Sequence, residues 1–331
     1  EIWDVLRAFA SFGFCKAHAA AFALPTYQSA WLKTHYPAAF LAGVLTHDPG
    51  MYPKRLIVDE ARQMGITIAP IDVNASDAVY RVEDHGNAIR IALSTVSGIS
   101  DGEVQSIIAG RPYIDLNDFV RRSGCSTPVT ESLILTGGFD SLHSDVNRRD
   151  LLLHFSDLQK SPSAAVSGAQ MNLGFEPPAL ISSGLPAMTA SESVKHEIDR
   201  LGIDMSRHMI EFYGEFLNAI GAVRSSDLLK QRSQSSVLVA GIKVAMQTPP
   251  VRSGKRVIFL TLDDGYGCSD STFFTDVQSE YANVLYSTSL LLVRGVTRRT
   301  GARGISIRAT GAWDLRAAYE SWSAKQSTLA I

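Results

Sequence analysis

The stretch Val257-Ile258-Phe259-Leu260-Thr261-Leu262, followed by Asp263-Asp264-Gly265-Tyr266-Gly267, reads as a strand running into a tight turn. β-Branched and aromatic residues fill the strand, and the Asp-Gly step supplies the turn chemistry. The acid pair is therefore read as a turn device and not as a metal pair. Outward from it lie four more segments of the same kind: Val237 to Ile242, Thr272 to Phe274, Leu290 to Val296 and Ile305 to Ala309. A helix, Thr275 to Leu285, fits between the third and fourth strands. Five strands with a helix in that gap is the order of an OB-fold barrel.

Upstream the period changes to that of helices. Ile2, Val5, Leu6 and Phe9 recur at helical spacing, and Pro25 and Pro37 are expected to punctuate the run. A helix from Tyr52 to Met64 stops at Gly65, Ile66 to Val73 is extended, and Leu93 to Leu142 is helical with tight turns. Residues 161 to 186 lose all periodicity and turn to Ser, Pro, Gly and Ala, which marks a linker. The expected domains are 1–90, 91–160, a linker 161–189, a helical connector 190–234, the barrel 235–316 and a tail 317–331.

Charged residues make up 19% of the 331 positions and net charge is −2, so no global basicity pushes the chain towards nucleic acid. Local charge does. From Ser235 onwards eleven Lys and Arg stand against seven acids. The turns holding Arg252, Lys255 and Arg256, and Arg298, Arg299 and Arg303, join strands one to two and four to five, the loops through which such barrels hold oligonucleotides. Phe259, Tyr266, Phe273 and Phe274 are candidate stacking platforms, with barrel core as the alternative for at least two of the phenylalanines. Cys15, Cys125 and Cys268 are too far apart for a disulfide framework or a zinc spacing, which suits a reducing cytosol. No apolar run approaches a membrane span. Asp199, Asp204 and His208 have no partner at a usable spacing.

Two further segments can meet phosphate. Lys16 and His18 open a helix, where an ammonium, an imidazole and the free amides suit phosphate oxygens. A solvated Lys16 and a core-edge His18 are the alternative. Leu93 to Ile108, around Gly98-Ile99-Ser100, has the pattern of a helix-hairpin-helix whose amides grip DNA phosphate without reading bases. Ser100 stands where the pattern has a second Gly, and with Glu103 it makes a capping box. A plain helical hairpin is the alternative. A second hairpin is expected from Thr127-Pro128-Val129-Thr130-Glu131 to Gly137-Gly138-Phe139-Asp140-Ser141-Leu142.

The run Phe12-Gly13-Phe14-Cys15-Lys16-Ala17-His18 to Trp31-Leu32-Lys33-Thr34-His35-Tyr36-Pro37 closely resembles the fingers segment of bacterial C-family DNA polymerases, the DNA polymerase III α-subunit family. The resemblance extends to about Leu315. Tyr52 to Ile57, Gly202 to His208 and Trp313-Asp314-Leu315 look like its error-prone, damage-tolerance branch. It implies an α+β multidomain architecture: the helical tail of the fingers, a tandem helix-hairpin-helix domain and the five-stranded OB-fold barrel. It implies the C-terminal part of a polymerase acting in replication and translesion repair synthesis in the cytoplasm. Lys16 and His18 would contact the phosphates of an incoming deoxynucleoside triphosphate. Duplex DNA would lie at the hairpins and single strand at the barrel. Gln170, Leu173 and Phe175 resemble the peptide that docks on the sliding clamp, with an incidental linker sequence as the alternative; accessory mutagenesis proteins are further implied partners. Mg²⁺ belongs to the parent polymerase, whose metal-holding carboxylates are expected upstream of Glu1. This stretch is thus expected to hold no metal and no cofactor, and to be inactive alone. The competing reading is a non-catalytic DNA- or clamp-binding module.

Overall fold

Helices α1 (Ile2–Ala10) and α2 (Lys16–His35) open the chain. The computed structural model describes residues 2–10, 15–50, 52–160, 179–180, 182–249, 256–299, 301–302 and 304–329. Pro37 starts α3 (Pro37–His47), as its fixed φ favours at a first helical position. Pro25 does not break α2, contrary to the sequence expectation: the helix carries it internally, and beside it Thr26 Oγ1 donates to Phe22 O at 2.7 Å. Helix α4 (Lys54–Gln63) ends before Gly65, whose φ of 78° is the left-handed stop.

Three short strands follow, β1 (Thr67–Ala69), β2 (Arg81–Glu83) and β3 (Ala88–Arg90), in the order β1-β3-β2. Next come α5 (Asp101–Ala109), α6 (Leu116–Ser123), α7 (Thr127–Leu135) and α8 (Arg148–Lys160). One apolar core, including Leu41, Val58, Ile89, Ile107, Phe119, Phe139 and Met205, runs from α3 to beyond α8. It crosses residue 90, an expected domain limit, because α3 and α4 cover the small sheet on which the hairpin rests. The second expected hairpin has a long connection: α7 stops at Leu135 and α8 starts at Arg148, with turns between.

Helix α9 (Ala190–Leu201) begins with a reciprocal cap between Thr189 and Glu192 and ends at Gly202, φ 70°. A 3-10 turn (Met209–Tyr213), α10 (Gly214–Ala219) and α11 (Ser225–Leu228) lead to the barrel. Its strands are β4 (Ser236–Gln247), β5 (Ile258–Asp263), β6 (Cys268–Phe273), β7 (Leu290–Arg299) and β8 (Ile305–Asp314), with α12 (Thr275–Ser287) between β6 and β7. They close in the order β4-β5-β6-β8-β7, with β6 and β8 parallel, as the strand pattern predicts. Val239, Leu260, Phe273, Val293 and Ile307 fill the interior. Residues expected as a tail form α13 (Leu315–Leu329), whose Tyr319 and Trp322 pack on Phe216 against the barrel wall.

Barrel and helical half meet along α4. Arg55 Nη2 donates to Lys243 O at 3.1 Å, and Gln63 Nε2 to Gly265 O at 3.4 Å.

Candidate nucleic-acid interface

The outer face of the barrel is laid out by strand register. Phe259 pairs with Thr272, Thr272 with Arg308, and Arg308 with Val296, so these four side chains form one row across β5, β6, β8 and β7. Two residues along β7 and β8, Arg298 pairs with Ser306, on the same face by strand alternation. A groove of about 540 Å³ follows this face, lined by Gln234, Thr272, Phe274, Val296, Arg298, Ser306 and Arg308 among others. The Arg308 guanidinium lies 5.5 Å from the centre of the Phe274 ring and 3.6 Å from Asp276 Oδ2. Phe259 and Phe274 are 46% and 40% exposed, enough for a flat ring to stack on either. Cations beside exposed rings are the chemistry that tracks a single strand.

The structure divides the sequence candidates. Phe273 is wholly buried and belongs to the barrel core, because β6 turns it inward while its neighbours face out. Tyr266 is exposed but carries the Arg224 guanidinium 4.3 Å over its ring. Arg256 and Arg298 are exposed. Arg299 is engaged: its guanidinium donates to Leu229 O, and to Gln231 O at 3.4 Å, closing the turn after α11. Arg252, Lys255 and Arg303 lie outside the described residues, as do Gln170, Leu173 and Phe175 of the clamp-like peptide.

At the hairpin, Gly98 takes φ 81°, the left-handed turn its pattern requires. The Ile99 amide closes that turn on Val96 O at 3.2 Å. The Ser100 amide donates to Glu103 Oε2 at 2.9 Å, so the chain's own carboxylate takes this donor. Glu103 also accepts from the Ser126 amide and hydroxyl at 2.9 and 2.7 Å. The Ser126 and Ser100 amides hold its carboxyl down to about 2. A folded value below the unfolded one stabilises the protein above the ordinary carboxylate range, and that stabilisation is lost as pH falls towards 2. Glu103→Gln is therefore expected to shallow the loss of stability between about pH 4.5 and pH 2, read as urea midpoints at each pH. An unchanged acid limb would contradict this.

Lys16 and His18 are both exposed at the first turn of α2, and the His18 ring contacts Phe22, centroids 4.6 Å apart. Among the described residues, no hydrogen bond, ion pair or ring contact joins either of them to the hairpin or the barrel groove.

A cluster the sequence did not reveal sits at the junction of the two halves. Asp59 of α4, Asp204 and His208 of the loop after α9, and Asp263 at the end of β5 are each at most 2% exposed. Arg62 reaches in, donating to Asp59 Oδ1 at 2.6 Å and to Met205 O at 2.8 Å. Burial, with Asp204 and Asp263 close by, pushes Asp59 up to about 7, and burial likewise raises Asp204. The turn reading of Asp263-Asp264 accounts for part of this: Asp263 Oδ1 accepts from the Gly265 amide at 3.0 Å and Asp264 Oδ1 from the Tyr266 amide at 3.0 Å. The other Asp263 oxygen points into the cluster. The four residues span more than two hundred positions of sequence; the Asp204-to-His208 interval of four is the sole local hint. Among the described residues, Asp59, Asp204 and His208 are the one group of three able to share a cation. Its burial bars it from a primer terminus, so it does not fit the ions of nucleotidyl transfer.

A family model described as a helix-hairpin-helix motif matches residues 65–151. An error-prone DNA polymerase of Symbiobacterium thermophilum is 32% identical to the chain over 92% of the chain and 32% of its own length. A second, from Bdellovibrio bacteriovorus, is 30% identical over 91% of the chain and 30% of its own length. The DNA polymerase III α subunit of Vibrio cholerae is 29% identical over 98% of the chain and 29% of its own length. The chain thus spans about three-tenths of the length of these curated relatives. No helix among the described residues is long and apolar enough to cross a membrane. Over nine-tenths of its length the chain is related to the C-family of bacterial DNA polymerases, the family of the error-prone enzymes and the DNA polymerase III α subunits.

Proposed function

We propose that the chain is the DNA-gripping part of an error-prone DNA polymerase and performs no chemistry by itself. The observation that carries this reading is kinship with error-prone polymerases over 92% of the chain, joined to an exposed aromatic and basic groove on the barrel. In the whole enzyme, deoxynucleotides would be added to a primer 3′ end with Mg²⁺ held by carboxylates outside this stretch. The outer groove would hold single-stranded template, and the hairpin region would hold duplex through backbone amides and phosphates. Lys16 and His18 would lie near the triphosphate of the incoming nucleotide. The exposed apolar residues of α2, with Leu24, Tyr27 and Trp31 on one side and Phe22 on the other, suit packing against the rest of the polymerase. Contact with a sliding clamp through Gln170, Leu173 and Phe175, and with accessory mutagenesis proteins, belongs to the same reading.

The test is primer extension set beside DNA binding. The purified chain is expected to shift a primed template in a gel at low salt and to add no nucleotide to it with Mg²⁺ and all four triphosphates. Extension above a no-protein control would contradict the first half of the proposal. A primed template left unshifted would contradict the second.

A further inference from the structure

The junction cluster leaves polar atoms that nothing among the described residues satisfies. Asp59 Oδ2, both carboxylate oxygens of Asp204, His208 Nε2 and Asp263 Oδ2 are buried without a hydrogen-bond partner. His208 Nε2 stands 3.4 Å from Asp263 Oδ2 and 3.7 Å from Asp59 Oδ2. One ligand atom each from Asp59, Asp204 and His208 falls within a 4.8 Å span. Buried polar atoms with no partner are costly, and these face one another instead of solvent.

We propose that this cluster is a structural site for a divalent ion of the Zn²⁺ class, held by His208 Nε2, Asp59 and Asp204, with Asp263, whose Oδ2 stands 3.4 Å from Nε2, closing in from the barrel as the fourth ligand and locking it onto the helical half. Ligand atoms ~2.0–2.2 Å from a tetrahedral zinc stand about 3.3–3.6 Å from each other, close to the separations around Nε2. When ionised, the three carboxylates outnumber the Arg62 guanidinium that reaches in, and a dication offsets that excess. One imidazole with three carboxylates and no thiolate is a donor set for zinc or manganese, not for a soft ion. Binding has one local cost. Nδ1 of His208 accepts from the Ile210 amide at 3.3 Å, so the ring proton must move from Nε2 to Nδ1 and that long bond is given up. The ligands come from α4, the loop after α9 and β5, so closure by an ion ties three segments that are remote in sequence.

The full chain is stripped with chelator and titrated with Zn²⁺ alone, with Mn²⁺ and Mg²⁺ in parallel, by calorimetry and thermal melting. The exposed thiols Cys15 and Cys268 are first replaced by Ser, since either could take zinc adventitiously. One Zn²⁺ per chain and a raised melting midpoint are expected. Asp204→Asn, which keeps the side-chain shape, should lower the affinity at least about tenfold and abolish the shift. Asp263→Asn serves as the second variant where circular dichroism finds Asp204→Asn unfolded. Absence of stoichiometric zinc in the parent chain overturns the proposal. So does zinc held equally well by a folded Asn variant, or a preference for Mg²⁺.

Discussion

Replacing Gly295 with alanine is expected to disrupt the barrel while the helical half stays folded. Gly295 sits on β7, paired to Val237 of β4 on one side and Ala309 of β8 on the other, just where the register with β8 slips. A Cβ there would lie 2.4 Å from Arg308 O and 2.4 Å from Ile307 Cγ2. A backbone oxygen paired in a ladder cannot rotate aside, so the strand itself must shift. The cost is expected at or above the upper end of the ~1–3 kcal/mol typical of overpacking. The barrel interior is a separate apolar cluster from that of the helical half, so the loss should remain local. In urea, circular dichroism should record an early transition for the barrel and a largely unchanged later one. Gly43→Ala is the control: a Cβ there meets nothing within 4 Å, and alanine inside α3 should stabilise by up to about 1 kcal/mol. Equal behaviour of the two variants would contradict the packing argument.

Phe119→Ala is expected to be as damaging on the other side of the molecule. Phe119 is wholly buried, edge-on to Tyr113 and to Phe139 with ring centroids 4.9 Å away in each case. Tyr113 is also tethered by its hydroxyl, which donates to Ile107 O at 3.0 Å, so it cannot swing in to fill the void. Truncation of a buried phenylalanine costs ~3–5 kcal/mol through lost burial and residual cavity. This trio anchors α6 and the turn after α7 beneath the hairpin, so DNA retention at the hairpin should fall with stability. Phe119→Leu should recover more than half of the loss. A urea midpoint for Phe119→Ala corresponding to less than about 1 kcal/mol would mean that the core is not organised around these rings.

The barrel was legible in sequence because its strands announce themselves locally as β-rich runs, with Gly265-Tyr266-Gly267 turning β5 into β6 and the extra helix in the one gap that fixes the strand order. The α5 start was equally legible, since Ser100 with Glu103 is a cap set three residues apart. Pro25 was misleading because a long helix tolerates one missing amide, a cost that composition does not weigh against the rest of α2. Phe273 and Phe274 could not be separated by type; strand alternation sends one into the core and the next outward. Arg299 looked like a free loop cation, and its carbonyl partners at Leu229 and Gln231 lie some seventy residues back. The junction cluster was illegible for the same reason: each of its acids is ordinary until the barrel docks on α4.

The central claim, that the outer face of the barrel grips a single strand through phosphates and stacking, is tested most directly by the salt dependence of binding. Fluorescence anisotropy of a labelled deoxyoligonucleotide is followed with the full chain across a range of salt. Log affinity should fall linearly with log salt, with a slope of ~0.7 for each phosphate neutralised. The double variant Arg298→Ala, Arg308→Ala should reduce that slope by about 1.4 and weaken binding at low salt, with the fold intact. Arg299→Ala, whose guanidinium serves the turn after α11, should lower stability and leave the slope alone. A slope unchanged in the double variant, or one flattened by Arg299→Ala, would contradict the assignment of this groove to single-stranded DNA.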